Sequence, residues 1–66
     1  MINVVDLEPG TKLKLKGGIT AEVVENPGDG MWVMVRYTGV PDDPGAVGTE
    51  ELAHADQILE VLEKAT

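Results

Sequence analysis

The stretch from Asn26 to Tyr37, NPGDGMWVMVRY, constrains the fold of this chain more than any other. Its first five residues form a cluster of Asn, Pro, Gly and Asp, which favour turns. The seven residues that follow include six apolar or aromatic side chains, with β-branched Val33 and Val35 among them. This composition is typical of a strand. We therefore expect a turn followed by a strand around which the other segments pack.

Alternate residues of a strand lie on the same face. The two faces of this strand are then formed by the sets Val33, Val35, Tyr37 and Trp32, Met34, Arg36. Because both sets are largely apolar, the pattern predicts a central strand that is covered on both sides. In a closed barrel only one face of a strand points inward, so one of the two sets would remain outside or at the rim.

The segment before this strand predicts a β-hairpin. After Thr11, residues 12–16 alternate strictly between charged lysines and apolar leucines, which predicts a strand over 11–16 with one buried face. Gly17-Gly18 predicts a two-residue hairpin turn, because both positions can take a positive φ. A returning strand over 19–25 completes a three-stranded antiparallel meander over 11–37. The core residues that these alternations predict are Leu13, Leu15, Val23, Val33 and Val35.

The second half of the chain is harder to interpret. Residues 38–48 contain three glycines, two prolines and two aspartates, a composition that excludes a helix or a regular strand. In residues 49–66, periodicity alone favours a helix. The apolar residues with helical three-to-four spacing are Leu52, Ala55, Leu59 and Leu62.

A second interpretation divides the same C-terminal segment into three short elements. A strand covers 50–54, a single 3-10 turn covers 55–57, and a last strand covers 58–62 with Leu59 and Val61 pointing inward. Both interpretations remain open on periodicity, since each satisfies part of the apolar pattern.

The order of hairpin, central strand, long loop, short strand, 3-10 turn and short strand resembles the SH3-like small β-barrel. The ending ADQILEVL stands where SH3 domains have their "PSNYV" end, and PGTKLKLKGGITAEVVENPGDGMWVMVRY looks like the hairpin of KOW-type domains and of the N-terminal barrel of elongation-factor-P-like proteins. The resemblance covers residues 9–62. It implies a mainly β fold, a small SH3-like barrel of about five antiparallel strands with a 3-10 turn before the last strand. The alternative is a three-stranded meander packed on a C-terminal helix.

Length and charge limit the class of protein. Sixty-six residues predict a single domain, 1–66, which buries only about 60% of the surface that its unfolded chain exposes. The net charge is −7: residues 1–37 carry four basic and five acidic side chains, whereas residues 38–66 carry one and seven. Nucleic-acid binding draws most of its affinity from phosphate neutralisation, so this balance argues against it. We expect no signal peptide and no membrane span, and therefore a cytoplasmic protein.

Catalytic groups are scarce. The chain has no cysteine, no serine and one histidine, so we expect no enzyme, no catalytic residue, no metal site and no cofactor. His54 lies near acidic residues but lacks a second nitrogen or sulfur ligand. Trp32 and Tyr37 point to opposite faces of one strand and cannot form the aromatic cage or groove that Tudor-type or SH3 domains use.

Two functions from different classes remain. The first is a small non-enzymatic binding or accessory module, with a protein partner or a second copy of the chain meeting the surface around Met31, Trp32 and Met34. In the alternative to that interface, the N-terminal arm over 2–7 or a C-terminal helix covers these side chains. The second function is a KOW-like nucleic-acid-associated module. Its basic stripe would consist of Lys12, Lys14, Lys16 and Arg36.

Overall fold

The computed structural model describes residues 3–65; Met1, Ile2 and Thr66, which belong to the expected single domain, lie outside the described residues. Within that range the chain is mainly β. The strands are β1 (Lys12–Leu15), β2 (Thr20–Glu25), β3 (Trp32–Gly39), β4 (Glu50–His54) and β5 (Ile58–Glu63). Short 3-10 turns cover Val4–Asp6, Lys16–Gly18, Pro44–Ala46 and Ala55–Gln57. The expected five antiparallel strands with a 3-10 turn before the last are confirmed, and the C-terminal helix is wrong.

The five strands form one antiparallel sheet in the order β4-β3-β2-β1-β5. The sheet does not close, so β4 and β5 are its edges in the part of the chain that the structure describes. This arrangement is compatible with the SH3-like small β fold that the sequence resembles. The middle strand of the sheet is β2, whereas β3 lies one strand further toward the β4 edge.

The hairpin between β1 and β2 has a longer connection than the sequence predicts. The Leu15 N–H donates to the Ile19 carbonyl at 2.7 Å, so three residues, Lys16–Gly18, form the turn instead of two. Gly17 and Gly18 both take a positive φ, at 84° and 75°. That conformation is the one for which two adjacent glycines were expected, and the lysine before them is included in the turn.

The core lies against one face of the sheet. The five residues predicted to be buried together are at most 3% exposed, which confirms that prediction. Val4 and Leu7 from the N-terminal arm, Ala21 from β2, Ala53 from β4 and Ile58 from β5 complete the core. Because the arm supplies two of these side chains, it packs against the core.

One side chain fastens the arm to the sheet. The Asn26 amide nitrogen, directly after β2, donates to the carbonyls of Val4 and Leu7, each at 2.8 Å. Its oxygen accepts from the Gly28 N–H at 2.9 Å, which shapes the following turn. Asn26 therefore positions the arm and the turn before β3 together.

Strand β5 has irregular pairing, and this changes which of its side chains are inward. Its register against β1 shifts between Lys12 and Leu13 and again between Lys14 and Leu15. Ile58 is buried and Val61 packs against the core, whereas Leu59 is 53% exposed. The prediction that Val61 points inward agrees with this packing, and the prediction for Leu59 is wrong. The helical turns of residues 3–65 are all too short to cross a membrane.

Candidate functional site

The face of β3 that points away from the core is exposed. Val33 and Val35 are fully buried on one face, while Trp32 on the other is 38% exposed and Met34 is partly buried. Met31, immediately before the strand, is 52% exposed. The expectation of a strand covered on both sides is therefore wrong, because the sheet packs a core against one face alone.

Strand β4 extends this exposed face by one large apolar residue. Leu52 lies opposite Met34 in the β3–β4 register and is 55% exposed. Side chains directly opposite each other in an antiparallel pair share a face and touch. We define the apolar patch as this pair of side chains together with Trp32 and with Met31, which is exposed directly before β3. Leu52 could not be placed on this surface from the sequence, because its position depends on how β4 pairs with β3.

His54 borders the patch and is held by its own turn. It lies opposite Trp32, and the two rings meet edge to face with centroids 4.7 Å apart. Its Nδ1 accepts from the Asp56 N–H at 3.1 Å, and its own N–H donates to Gln57 Oε1 at 2.7 Å. A neutral ring that accepts at Nδ1 carries its hydrogen on Nε2. Together these two hydrogen bonds form a capping box, which fixes the ring against Trp32.

The turn before β3 is organised by Asp29. Its Oδ1 accepts from the Met31 N–H at 2.8 Å and from the Trp32 N–H at 3.0 Å. These two hydrogen bonds lower the pKa of Asp29 below its ordinary value, and the one from the Trp32 N–H has the larger effect. A carboxylate therefore stands at the point where the apolar patch begins.

A row of alternating charges crosses the same face of the sheet. Each strand contributes one side chain to it, in the spatial order Glu63, Lys12, Glu22, Arg36 and Glu50. The Arg36 guanidinium is paired with Glu50, Nη2 to Oε2 at 2.9 Å. Opposite charges in facing positions stabilise strand pairing. The row separates the apolar patch from the end of the sheet that carries the hairpin turn.

The four residues of the predicted basic stripe are not brought together. Lys12 and Lys14 lie on β1, opposite Glu63 and Glu60 of β5, and Lys16 lies in the hairpin turn. Arg36 is two strands away, with Glu22 of β2 between it and Lys12. The lysines are exposed, and carboxylates flank the two that lie on the strand.

The candidate site among the described residues is a surface patch and not a metal centre. Among residues 3–65, no three histidine or carboxylate side chains gather closely enough to hold a metal ion. Comparisons with protein-family models, with curated proteins and with solved structures found no match for this chain. The apolar patch, with its acidic surroundings and its fixed histidine, is the candidate site.

Proposed function

We propose that this chain is a small non-enzymatic binding module of the SH3-like class that contacts another protein through the apolar patch. The observation that carries the proposal is the exposure of Trp32 and Leu52 on the face opposite the core, with Met31 exposed directly before β3. Trp and Met are enriched at protein interfaces, and large apolar patches are seldom left open on monomers. In this proposal the partner of the module is a different protein chain.

The strand order and the 3-10 turn before β5 support the SH3-like assignment. The binding surface differs from the aromatic groove with which SH3 domains hold proline-rich peptides. Tyr37 packs against the core on the inner face, so Trp32 has no aromatic neighbour on the outer face except the His54 ring. We propose a flat contact over β3 and β4, with Trp32 as its anchor.

An accessory role agrees with the composition. The sequence has no cysteine or serine, and its threonines stand in no recognisable nucleophile motif. The absence of cysteine also fits a reducing compartment, and we include the cytoplasm in the proposal. The patch would stabilise a complex by burying its apolar surface.

The proposal is tested by photo-crosslinking from two leucines. A crosslinking amino acid replaces Leu52 in the patch or Leu62 on β5; these leucines are 55% and 50% exposed, so the positions are matched in accessibility. The protein captured from position 52 is identified, purified and titrated against the wild type, Leu52→Glu and Leu62→Glu. Circular dichroism checks that both variants remain folded.

We expect the partner to be captured from position 52 and not from position 62. Leu52→Glu should weaken the purified complex by about tenfold or more, equivalent to about 1.4 kcal/mol, with Leu62→Glu unchanged. Equal affinity for the two folded variants would contradict the proposal, because the contact would then lie outside the patch. If only a second copy of the chain is captured, the surface is an interface but its partner is not a different protein.

A further inference from the structure

We infer that the partner presents a basic amphipathic segment to the patch, with Lys or Arg side chains bordering its apolar ones. This inference rests on the proposed function and deepens it by stating the chemistry of the partner. It follows from the charges that surround the apolar patch and from the ion pair that the single arginine of the chain already makes.

Three carboxylates border the patch on different sides. Glu25 of β2 lies opposite Met34, across a bulge in the β2–β3 pairing. Asp29 is bound to the N–H groups of Met31 and Trp32. Asp56 lies beyond His54, with its Oδ2 3.6 Å from the ring Nδ1. All three residues are exposed, so their charges reach the solvent around the apolar surface.

The basic side chains of β1 and β3 do not offset these charges. Arg36, the basic residue on β3, already pairs with Glu50 at 2.9 Å and also faces Glu22. The two lysines of β1 lie two strands away, where Lys12 is itself a member of the charge row and Lys14 lies beyond it. The patch is therefore an apolar surface within a negative rim, which a positively charged rim complements.

The same charges disfavour a second copy of the chain as the occupant. A two-fold contact through the patch would bring the acidic rim of one copy, Glu25, Asp29 and Asp56, against the same acidic rim of the other. Each copy also carries a net charge of −7. Like charges brought together at an interface cost free energy, whereas a cationic partner gains both attraction and a faster association rate.

The inference is tested with three short synthetic peptides that share one amphipathic arrangement of leucine. Their polar positions are all lysine, all glutamate or all glutamine. Each is titrated into the full-length protein labelled with nitrogen-15, at about 150 mM salt so that non-specific attraction is screened. Amide shifts locate the binding surface, and Trp32 emission gives the affinity.

Two variants with equal net charge separate the rim from general acidity. Glu25→Gln with Asp56→Asn removes two rim carboxylates, and Asp42→Asn with Glu60→Gln removes two exposed carboxylates from the loop after β3 and from β5. Each double variant changes the net charge from −7 to −5. A difference in peptide affinity between the two double variants therefore depends on where the carboxylates lie, since the net charge of both variants is the same.

We expect the lysine peptide to shift amides of β3, β4 and the preceding turn, and to bind about tenfold more tightly than the glutamate peptide. The rim variant should weaken this binding severalfold, and the matched variant should not. Equal binding of all three peptides at β3 and β4 would overturn the inference about charge while supporting the patch as an interface. Shifts that follow β5 and the loop, or no shifts from any peptide, would overturn the inference, and the absence of shifts would also count against the proposed function.

Discussion

His54 and Trp32 meet edge to face, with ring centroids 4.7 Å apart and planes inclined by 79°. The contact joins a residue of the edge strand to the largest side chain of the apolar patch. His54 is at the same time the N-cap of the 3-10 turn Ala55–Gln57. One side chain therefore couples the turn at the end of β4 to the surface that we propose as an interface.

The two roles of His54 can be separated by substitution. His54→Ala should lower the free energy of unfolding by about 1 kcal/mol, because the Asp56 N–H loses its acceptor, and should change Trp32 emission. His54→Asn retains a capping oxygen without the ring. It should recover most of the stability but not the emission, as measured by urea denaturation and fluorescence. Equal stability of the two variants would contradict the capping role.

The attachment of the N-terminal arm should depend on the Asn26 amide. Asn26→Asp turns a donor into an acceptor that faces the carbonyls of Val4 and Leu7, so we expect a loss of about 2 kcal/mol or more. Asn3→Asp is the matched control, since the Asn3 oxygen already accepts from the Val5 N–H. Chemical denaturation gives both values, and amide exchange should show reduced protection in the arm for Asn26→Asp alone. Similar losses for the two variants would refute this account.

The core prediction can be quantified at Val33, which is fully buried. Val33→Ala should destabilise the fold by about 1–3 kcal/mol through lost burial and a residual cavity. Val47→Ala removes the same atoms from a side chain that is 47% exposed, and should change stability by less than about 0.5 kcal/mol. A denaturation midpoint for Val33→Ala equal to that of the wild type would contradict the assignment.

Asp29 should make the fold sensitive to acid. Hydrogen bonds from the Trp32 and Met31 N–H groups lower its pKa in the folded state relative to the unfolded state. The stability that it contributes is therefore complete above the unfolded-state pKa and is lost as pH falls through the lower folded-state pKa. We expect the free energy of unfolding to decrease below about pH 4, less steeply in Asp29→Asn. Urea denaturation across this range tests the difference; identical slopes would contradict it.

Nucleic acid should not bind specifically at physiological salt. Lys12 lies between Glu22 and Glu63, and Lys14 faces Glu60, so the cations are partly neutralised where they stand. Anisotropy of labelled RNA and duplex DNA should show no affinity in the micromolar range or tighter at about 150 mM salt. Replacing the three flanking glutamates by glutamine should increase weak binding at low salt. Micromolar binding by the wild type at the higher salt would overturn this prediction.

The strands whose pattern is local could be predicted from the sequence. Leu13 and Leu15 alternate with lysines, and Val33 and Val35 alternate with other side chains, so the buried face of each strand follows from the period of two alone. Strand β5 does not follow this rule, because its register shifts against β1. Ile58 and Val61 both turn toward the core although they are three residues apart. Neither belongs to the set whose spacing favoured a helix, and three members of that set, Leu52, Leu59 and Leu62, are at least half exposed.

The candidate site was predictable only in part. The outward position of Trp32 and Met34 follows from the alternation of side chains along the strand, once its other face is known to be buried. Leu52 and His54 could not be assigned to the same surface, since their positions depend on where the loop returns the chain to pair with β3. The Asn26 contacts with the arm are likewise set by tertiary packing across 19 to 22 residues.

The alternating row of charges has one member on each strand of a five-stranded sheet. An alternating series with an odd number of members has the same sign at both ends, and here Glu63 and Glu50 occupy the two edge strands. Whenever two such sheets approach edge to edge with these rows aligned, glutamate meets glutamate, whichever edges are chosen. The parity of the row thus disfavours templated growth into fibrils at the open edges of this sheet.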